Sequence, residues 1–445
     1  MRSDKRPETK RLSPSGSTAG SIFWTHPRDM APMLPTRNEE WDRQATRLVQ
    51  EATKLDSVLP ATTRRALAPL LRQVNSYYSN LIEGHRTLPG EVAAALRRAV
   101  RGAKKEKALV IEAMAHLKVQ ELVDNSADDF RFPTQPEVIR LFHALFISEL
   151  PEEMLWTEPR ADGSRERIIP GEFRRSVVVV GSHVPPAADS LPAFMGAFHA
   201  AYGDHRTPTP ETIARIAAAH QRLAWIHPFL DGNGRVARLI TDAMFTSAGL
   251  AADGLWRVSR GFARNNVEYK ARLAEADRDR QGDVDGRGNL SQAGMDRWCR
   301  FVVDTALDQI AFMRGLLSVE QLPARIAAWS AKAYPSPTAA RIGLLLERVL
   351  RYGEVDRKTV YDLLGVTDRH ARRLIAQLEV EELVTVTSGG ALHPRIPLWV
   401  VPSWFPDLYP EREREGLEAT RAQVAGKRAH SGTVKAKAKT KATKR

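Results

Sequence analysis

The chain has a single cysteine, Cys299, among 445 residues. One thiol cannot form an internal disulfide, so a disulfide framework is excluded and a reducing, cytoplasmic setting is expected. No stretch approaches the roughly eighteen uninterrupted apolar residues of a membrane span, which points to a soluble protein with no membrane partner. The N-terminal MRSDKRPETKRL is charged and lacks the apolar run of a secretory signal. No fixed-period repeat occurs, and a solenoid is excluded with it. Acidic residues are missing altogether from Lys427 onward, where eight Lys/Arg stand. Taking those eight from the net charge of +13 leaves +5 for everything before them, so the body of the protein is only mildly basic. The tail itself, GTVKAKAKTKATKR, is low in complexity and cannot bury a core. It either grips phosphate backbones loosely or keeps the protein soluble.

What is present is enough for two or three domains with real cores: 43% hydrophobic and 27% charged residues. Residues 1–21, rich in Ser, Gly and Lys/Arg, read as a flexible leader. Residues 22–134 form an N-terminal helical region, 135–315 a mostly helical core, 322–405 a separate module, and 411–445 a basic disordered tail. A mainly α fold is expected. RRALAPLLRQVNSYYSNLIEG reads as a helix closed by Gly84. In ETIARIAAAHQRLAWIHPF the apolar Ile213, Ile216, Ala217, Leu223 and Ala224 recur at helical spacing, and Pro228 ends the helix with His227 at its edge. A second helix is predicted from about Arg235 to Gly249, with Val236, Leu239, Ile240 and Ala243 facing the core. The valine run SVVVVGSHV reads as a strand, stopped by Pro185 and Pro186.

HPFLDGNGRVAR, residues 227–238, carries the chemistry. Gly232-Asn233-Gly234 immediately precedes a helix. Glycine lets backbone N–H groups converge on an anion, and the helix N-terminus adds its partial positive charge. Arg235 and Arg238 lie three apart and project from nearly one face, suiting a polyphosphate. Asp231 is a hard oxygen ligand placed to share magnesium with those phosphates. His227 titrates near neutrality and can take a proton from an incoming hydroxyl. Together these parts suit phosphoryl-type transfer, in which positioning and charge stabilisation supply most of the rate.

The segment resembles the signature of the Fic family, HxFx(D/E)GNGRxxR, at every specified position. The resemblance implies a helical Fic core, ATP with magnesium, and transfer of AMP to a Ser, Thr or Tyr hydroxyl of a target protein or of the chain itself. It implies His227 as catalytic base and Asp231 as metal ligand. Gly232, Asn233, Gly234 and Arg235 would hold the α- and β-phosphates, Arg238 the γ-phosphate, and Phe229 would be a core anchor. GEFRRSVVVVGSHVPP resembles the family's flap, a hairpin bordering the nucleotide with Val178, Val179, Val180 and Gly181. EYKARLAEAD resembles the segment contacting adenine, with Tyr269 and Asp277 at the matching positions; Lys270 and Asp277 depart from the family's usual tyrosines and asparagine. Ser79-Asn-Leu-Ile-Glu83-Gly84 resembles the inhibitory motif (S/T)xxxE(G/N). Ser79 and Glu83 share a helical face, and Glu83 is expected to pair with Arg238, so that Glu83→Gly raises auto-modification severalfold.

Other residues take blander readings. His220 is read as a satisfied core histidine, Trp225, Trp256 and Trp298 as packing, and Cys299 as a buried thiol with no catalytic partner. Ala339–Tyr352, Arg357–Leu364 and Thr367–Glu379 read as three helices, the last capped by Thr367. A hairpin turning at Gly389-Gly390 follows, which together is a winged-helix pattern. Arg369, His370, Arg372 and Arg373 give its third helix a basic face for DNA, while Glu379, Glu381 and Glu382 would repel a backbone; protein docking or homodimer formation is the other use. The rival functions are a DNA-binding regulator whose pocket senses nucleotide, and an enzyme that removes AMP from a target with Glu83 aiding a water.

Overall fold

A computed structural model describes residues 24–99, 106–125, 132–159, 162–204, 206–414 and 417. The expected leader at 1–21 and nearly all of the basic tail at 411–445 lie outside the described residues. The α-helices of five or more residues, in chain order, are α1 (Glu39–Asp56), α2 (Ala61–Ile82), α3 (Pro89–Ala99), α4 (Ala108–Asn125), α5 (Pro136–Ile147), α6 (Leu191–Tyr202), α7 (Pro210–Ile226), α8 (Asn233–Ser247), α9 (Val258–Arg264), α10 (Asn266–Ala276), α11 (Gln292–Leu316), α12 (Gln321–Ala333), α13 (Thr338–Tyr352), α14 (Val360–Leu364) and α15 (Asp368–Val380). The architecture is mainly α. The chain divides into two units: residues 1–54, 75–87 and 95–311 form the first, and residues 55–74, 88–94 and 312–445 the second. No helix is long and apolar enough to cross a membrane among the described residues.

In the first unit, α7 and α8 pack against each other, with α4, α5 and α6 alongside. Local chemistry sets the ends of α7. The Thr209 hydroxyl accepts from Thr212 N–H, and Pro210 occupies the first turn, where its missing N–H costs nothing. At the other end His227 adopts a left-handed conformation, φ 50°, and Pro228 follows. Helix α8 opens at Asn233 behind Gly232, two residues earlier than the periodicity predicts, because Gly232 takes φ 80° and turns the chain directly into the helix. Around these helices Phe142, Phe146, Phe194, Phe198, Trp225 and Phe229 are fully buried. Trp256 and Trp298 are buried too, and Cys299 is a buried free thiol.

The strand expected in the valine run does not form. Only an isolated bridge pairs Val180 with His183, around Gly181 at φ 62°. Arg174 braces the ends of this segment. Its guanidinium donates to the carbonyls of Ser176, Pro186 and His227 at 3.1, 2.6 and 2.8 Å, so side-chain bonds hold the segment where a ladder was expected. Pro185 and Pro186 offer no N–H to a ladder.

In the second unit α13 packs on α12, and Trp329 of α12 meets Tyr334, Trp399 and Trp404. A short strand β1 (Val355–Asp356) follows α13, then a 3-10 turn at Arg357–Thr359 leads into α14. The sequence suggested one continuous helix over 357–364; the Asp356 side chain caps the tighter turn by accepting from Lys358 N–H. Helix α15 is capped by Thr367, whose hydroxyl accepts from His370 N–H. Strands β2 (Val384–Val386) and β3 (Ala391–Pro394) form the hairpin, with Gly390 at φ 88°, and the antiparallel sheet runs β1-β3-β2.

Candidate active site

The turn from 227 to 233 is built by its own side chains. Asn233 closes it: its Oδ1 accepts from Phe229 N–H and its Nδ2 donates to Phe229 C=O, both at 2.9 Å. Both ends of that amide are spent on the loop, so Asn233 shapes the cradle from within. Phe229 is fully buried and stacks on His143, centroids 3.8 Å apart and planes 1° from parallel. His143 Nδ1 accepts from Gly171 N–H at 2.9 Å, which puts the ring proton on Nε2, 3.3 Å from the Asp231 carbonyl. The loop is thereby pinned from α5 as well.

His227 is half-buried at the C-terminal edge of α7. Burial, reinforced by the nearby Arg174 guanidinium, lowers its pKa to about 3, so the imidazole is neutral at physiological pH. A neutral ring can accept a proton. Arg174, itself 3% exposed, donates to the His227 carbonyl from its Nε and holds that backbone in place.

The two arginines of the motif point to different partners. Arg238, 1% exposed, donates from Nε to Ser79 Oγ at 2.9 Å, and from Nη2 to Ser79 C=O at 3.0 Å and Glu83 Oε1 at 2.6 Å. Burial alone would raise the Glu83 pKa; Arg238 and Arg235 together outweigh it and hold the carboxyl below its usual range. A Cβ added to Gly234 would collide with the Glu83 carboxylate, so glycine there lets this anion approach the N-terminus of α8. Gly84, at φ 84°, turns the chain out of α2 just after it.

Arg235, 4% exposed, pairs with Glu112 of α4 and reaches Asp231 Oδ1 at 3.2 Å, its guanidinium lying 4.9 Å over the Phe146 ring. Burial lowers its pKa to about 10 and leaves it charged. Asp231 has an exposed side chain, 58%, whose Oδ1 also lies close to Gly232 N–H. Among the described residues no group of three or more His, Cys, Asp or Glu could hold a metal ion. Asp231 therefore fits magnesium only as one protein ligand beside oxygens of the substrate.

Tyr269 and Asp277 lie next to this region, and Tyr269 interacts with the Arg238 guanidinium. Tyr269 is buried, its hydroxyl 3.0 Å from His220 Nε2, and stacks on Phe262. His220 completes its bonding with Thr241 Oγ1 at 2.8 Å. Asp277 accepts from Gln221 at 2.6 Å, and burial raises its pKa to about 7. Val178 and Val179 are buried, whereas Gly181 is exposed at the tip of its turn.

Sequence reasoning missed Arg174, His143 and Glu112. Only Glu112 left a signal: with His116 and Gln120 it makes a polar row at spacing four along the otherwise apolar ALVIEAMAHLKVQELV, and all three are buried. Buried polar residues at helical spacing mark contacts that a core must satisfy. Arg174 and His143 act through backbone carbonyls and amides that no residue pattern reveals.

Residues 133–245 match the model of the Fic/DOC family. A protein adenylyltransferase Fic from Drosophila yakuba is 38% identical over 98 residues, 22% of this chain and 20% of the relative. Its counterpart from Drosophila melanogaster is 37% identical over 98 residues, with the same shares covered. The chain thus spans about a fifth of the length of these curated relatives. Among solved structures, a Fic family protein from Desulfovibrio desulfuricans aligns over 81% of this chain and 97% of its own, at 17% identity and a TM-score of 0.45. Residues 133–245 are thus similar to the Fic/DOC family, and the family's motif lies within them as a loop pinned between two helices.

Proposed function

We propose that this chain transfers AMP from ATP to a Ser, Thr or Tyr hydroxyl of a protein, itself included, and that Glu83 holds the activity in check. The observation that carries the reading is a neutral imidazole, His227, beside a helix N-terminus served by two buried arginines, of which Arg238 is held by the partly exposed Glu83 carboxylate. The relatives from Drosophila yakuba and Drosophila melanogaster, each a protein adenylyltransferase Fic, support the same activity.

The site's residues divide the work. His227 Nδ1 or Nε2 takes the acceptor's proton as its oxygen bonds to the α-phosphorus; the bond to the bridging oxygen breaks and pyrophosphate leaves. Gly232 and Gly234 leave room at the N-terminus of α8 for the α- and β-phosphates, with Arg235 on one side. Asp231 would hold magnesium jointly with the phosphates, and that ion supplies charge neutralisation. Arg238 is the counter-charge for the γ-phosphate. While it holds Glu83, a triphosphate cannot take up that arrangement, and inhibition follows from one ion pair. Val178–Gly181 would border the nucleotide, and Tyr269 with Asp277 would lie on the adenine side.

The test is ATP radiolabelled at its α-phosphate, incubated with the Glu83→Gly chain in a lysate of the source organism. Covalent label is expected on the chain or a target. Adding His227→Ala should cut it by about a hundredfold or more. Absence of label in Glu83→Gly would overturn the reading.

A second reading concerns the C-terminal unit, whose order of helix, strand, helix, helix and hairpin supports a winged helix. Arg369, Arg372 and Arg373 are exposed along α15, and Arg357 and Lys358 are exposed just before α14. Such a cationic face suits a nucleic-acid backbone and groove.

A further inference from the structure

Glu112 is 0% exposed, and a carboxylate is costly to bury unless its charge is met. Two groups meet it. Oε1 pairs with Arg235 Nη1, and Oε2 lies 2.7 Å from His85 Nδ1. On its far side Arg235 is bounded by Asp231 and beneath by the Phe146 ring. The guanidinium is therefore fixed from three directions, but the three supports are unequal. Asp231 is exposed, and in the reading above its oxygens turn to a metal once substrate binds. An aromatic face sets a plane without fixing a direction. Glu83 also attracts Arg235, but in the reading above it gives way to substrate, and Glu112 is the buried carboxylate left to hold the guanidinium.

We propose that Glu112 is the positioning residue that aims Arg235 at the substrate's phosphates, and that His85 anchors Glu112 from behind. The inference rests on the reading that Arg235 grips phosphate. His85 lies two residues beyond Glu83, so the short stretch leaving α2 touches both arginines of the motif: Arg238 directly through Glu83, and Arg235 through Glu112. The polar row on α4 thereby acquires a use beyond packing.

A double-mutant cycle in the Glu83→Gly chain tests this by calorimetric binding of ADP and of adenosine. The variants are Glu112→Gln, Arg235→Gln and the two together. Glu112→Gln should weaken ADP about tenfold, the worth of one charge-assisted hydrogen bond, and leave adenosine within about twofold. The double variant should bind ADP no more weakly than Arg235→Gln alone, because Glu112 acts only through that arginine. Equal weakening of ADP and adenosine by Glu112→Gln would mean a merely structural role and overturn the proposal, as would unchanged ADP affinity. If Glu112→Gln does not fold, with the Arg235 charge left uncompensated, the double variant carries neither charge and decides the matter. A further loss of ADP affinity relative to Arg235→Gln then overturns the proposal, and equal affinity supports it. Failure of the Glu83→Gly parent to bind ADP would instead bring down the nucleotide reading, and this inference with it.

Discussion

Removing the Glu83 carboxylate is the perturbation that bears most directly on the proposed control of AMP transfer. Arg238 holds that carboxylate by a 2.6 Å charge-assisted bond, a contact worth about 1.5–3 kcal/mol net. Arg238 is 1% exposed but the Glu83 side chain is 33% exposed, so solvent screens part of the attraction and the lower end applies. About 1.5 kcal/mol corresponds to roughly a tenfold preference for the closed arrangement. In Glu83→Gly, Arg238 keeps its bonds to Ser79 Oγ and Ser79 C=O and stays aimed along α8. Auto-modification should therefore rise about tenfold, read as label transferred from ATP per minute by the purified chain. Glu83→Gln, which retains the shape and a weaker bond, should fall between. Adding Arg238→Ala to Glu83→Gly should abolish the gain, since the γ-phosphate loses its counter-charge. A Glu83→Gly chain that folds, binds ATP and labels no faster than wild type would refute the reasoning.

Two further outcomes follow from the same contacts. Burial holds His116, His143, His220 and His227 near pKa 3 and His183 near 4, all down from 6.5, so each adds stability above pH 6.5 that is lost as pH falls toward those values. Asp242 and Asp277 act oppositely: burial raises them from 3.8 to about 6 and about 7, and the stability they add is lost as pH rises through those values. Five groups outweigh two, and at about 1.4 kcal/mol per pH unit for each net proton the unfolding temperature should drop clearly between pH 7 and pH 5. Calorimetry showing a rise would contradict the burial of these imidazoles. For the second unit, replacing Arg369, Arg372 and Arg373 by Gln should weaken duplex DNA binding and flatten its salt dependence by about three contacts' worth. Unchanged binding in a gel shift would remove α15 from any DNA surface.

Much of the site was legible because its chemistry is local in sequence. Pro228 ends α7 through its ring geometry, and Gly232 opens α8 through its positive φ. Ser79 and Glu83, one helical turn apart, necessarily share a face. The valine run misled, because strand propensity is a statement about neighbours, and the segment has only the Val180–His183 bridge while Arg174 holds the flanking carbonyls of Ser176 and Pro186. That the Asn233 side-chain amide closes the turn on Phe229 was not legible in the motif.

The mainly helical character, the glycine turn ahead of α8 and the groups able to move a proton or meet a phosphate can all be read from the residues in order. Those follow from periodicity, caps and side-chain chemistry, which act over a few residues. Only the tertiary structure decided which charges meet: Arg238 with Glu83 from 155 positions away, Arg235 with Glu112, and Arg174 with the His227 carbonyl. Burial makes those pairings obligatory, since a charge taken out of water must find its partner wherever the fold puts it.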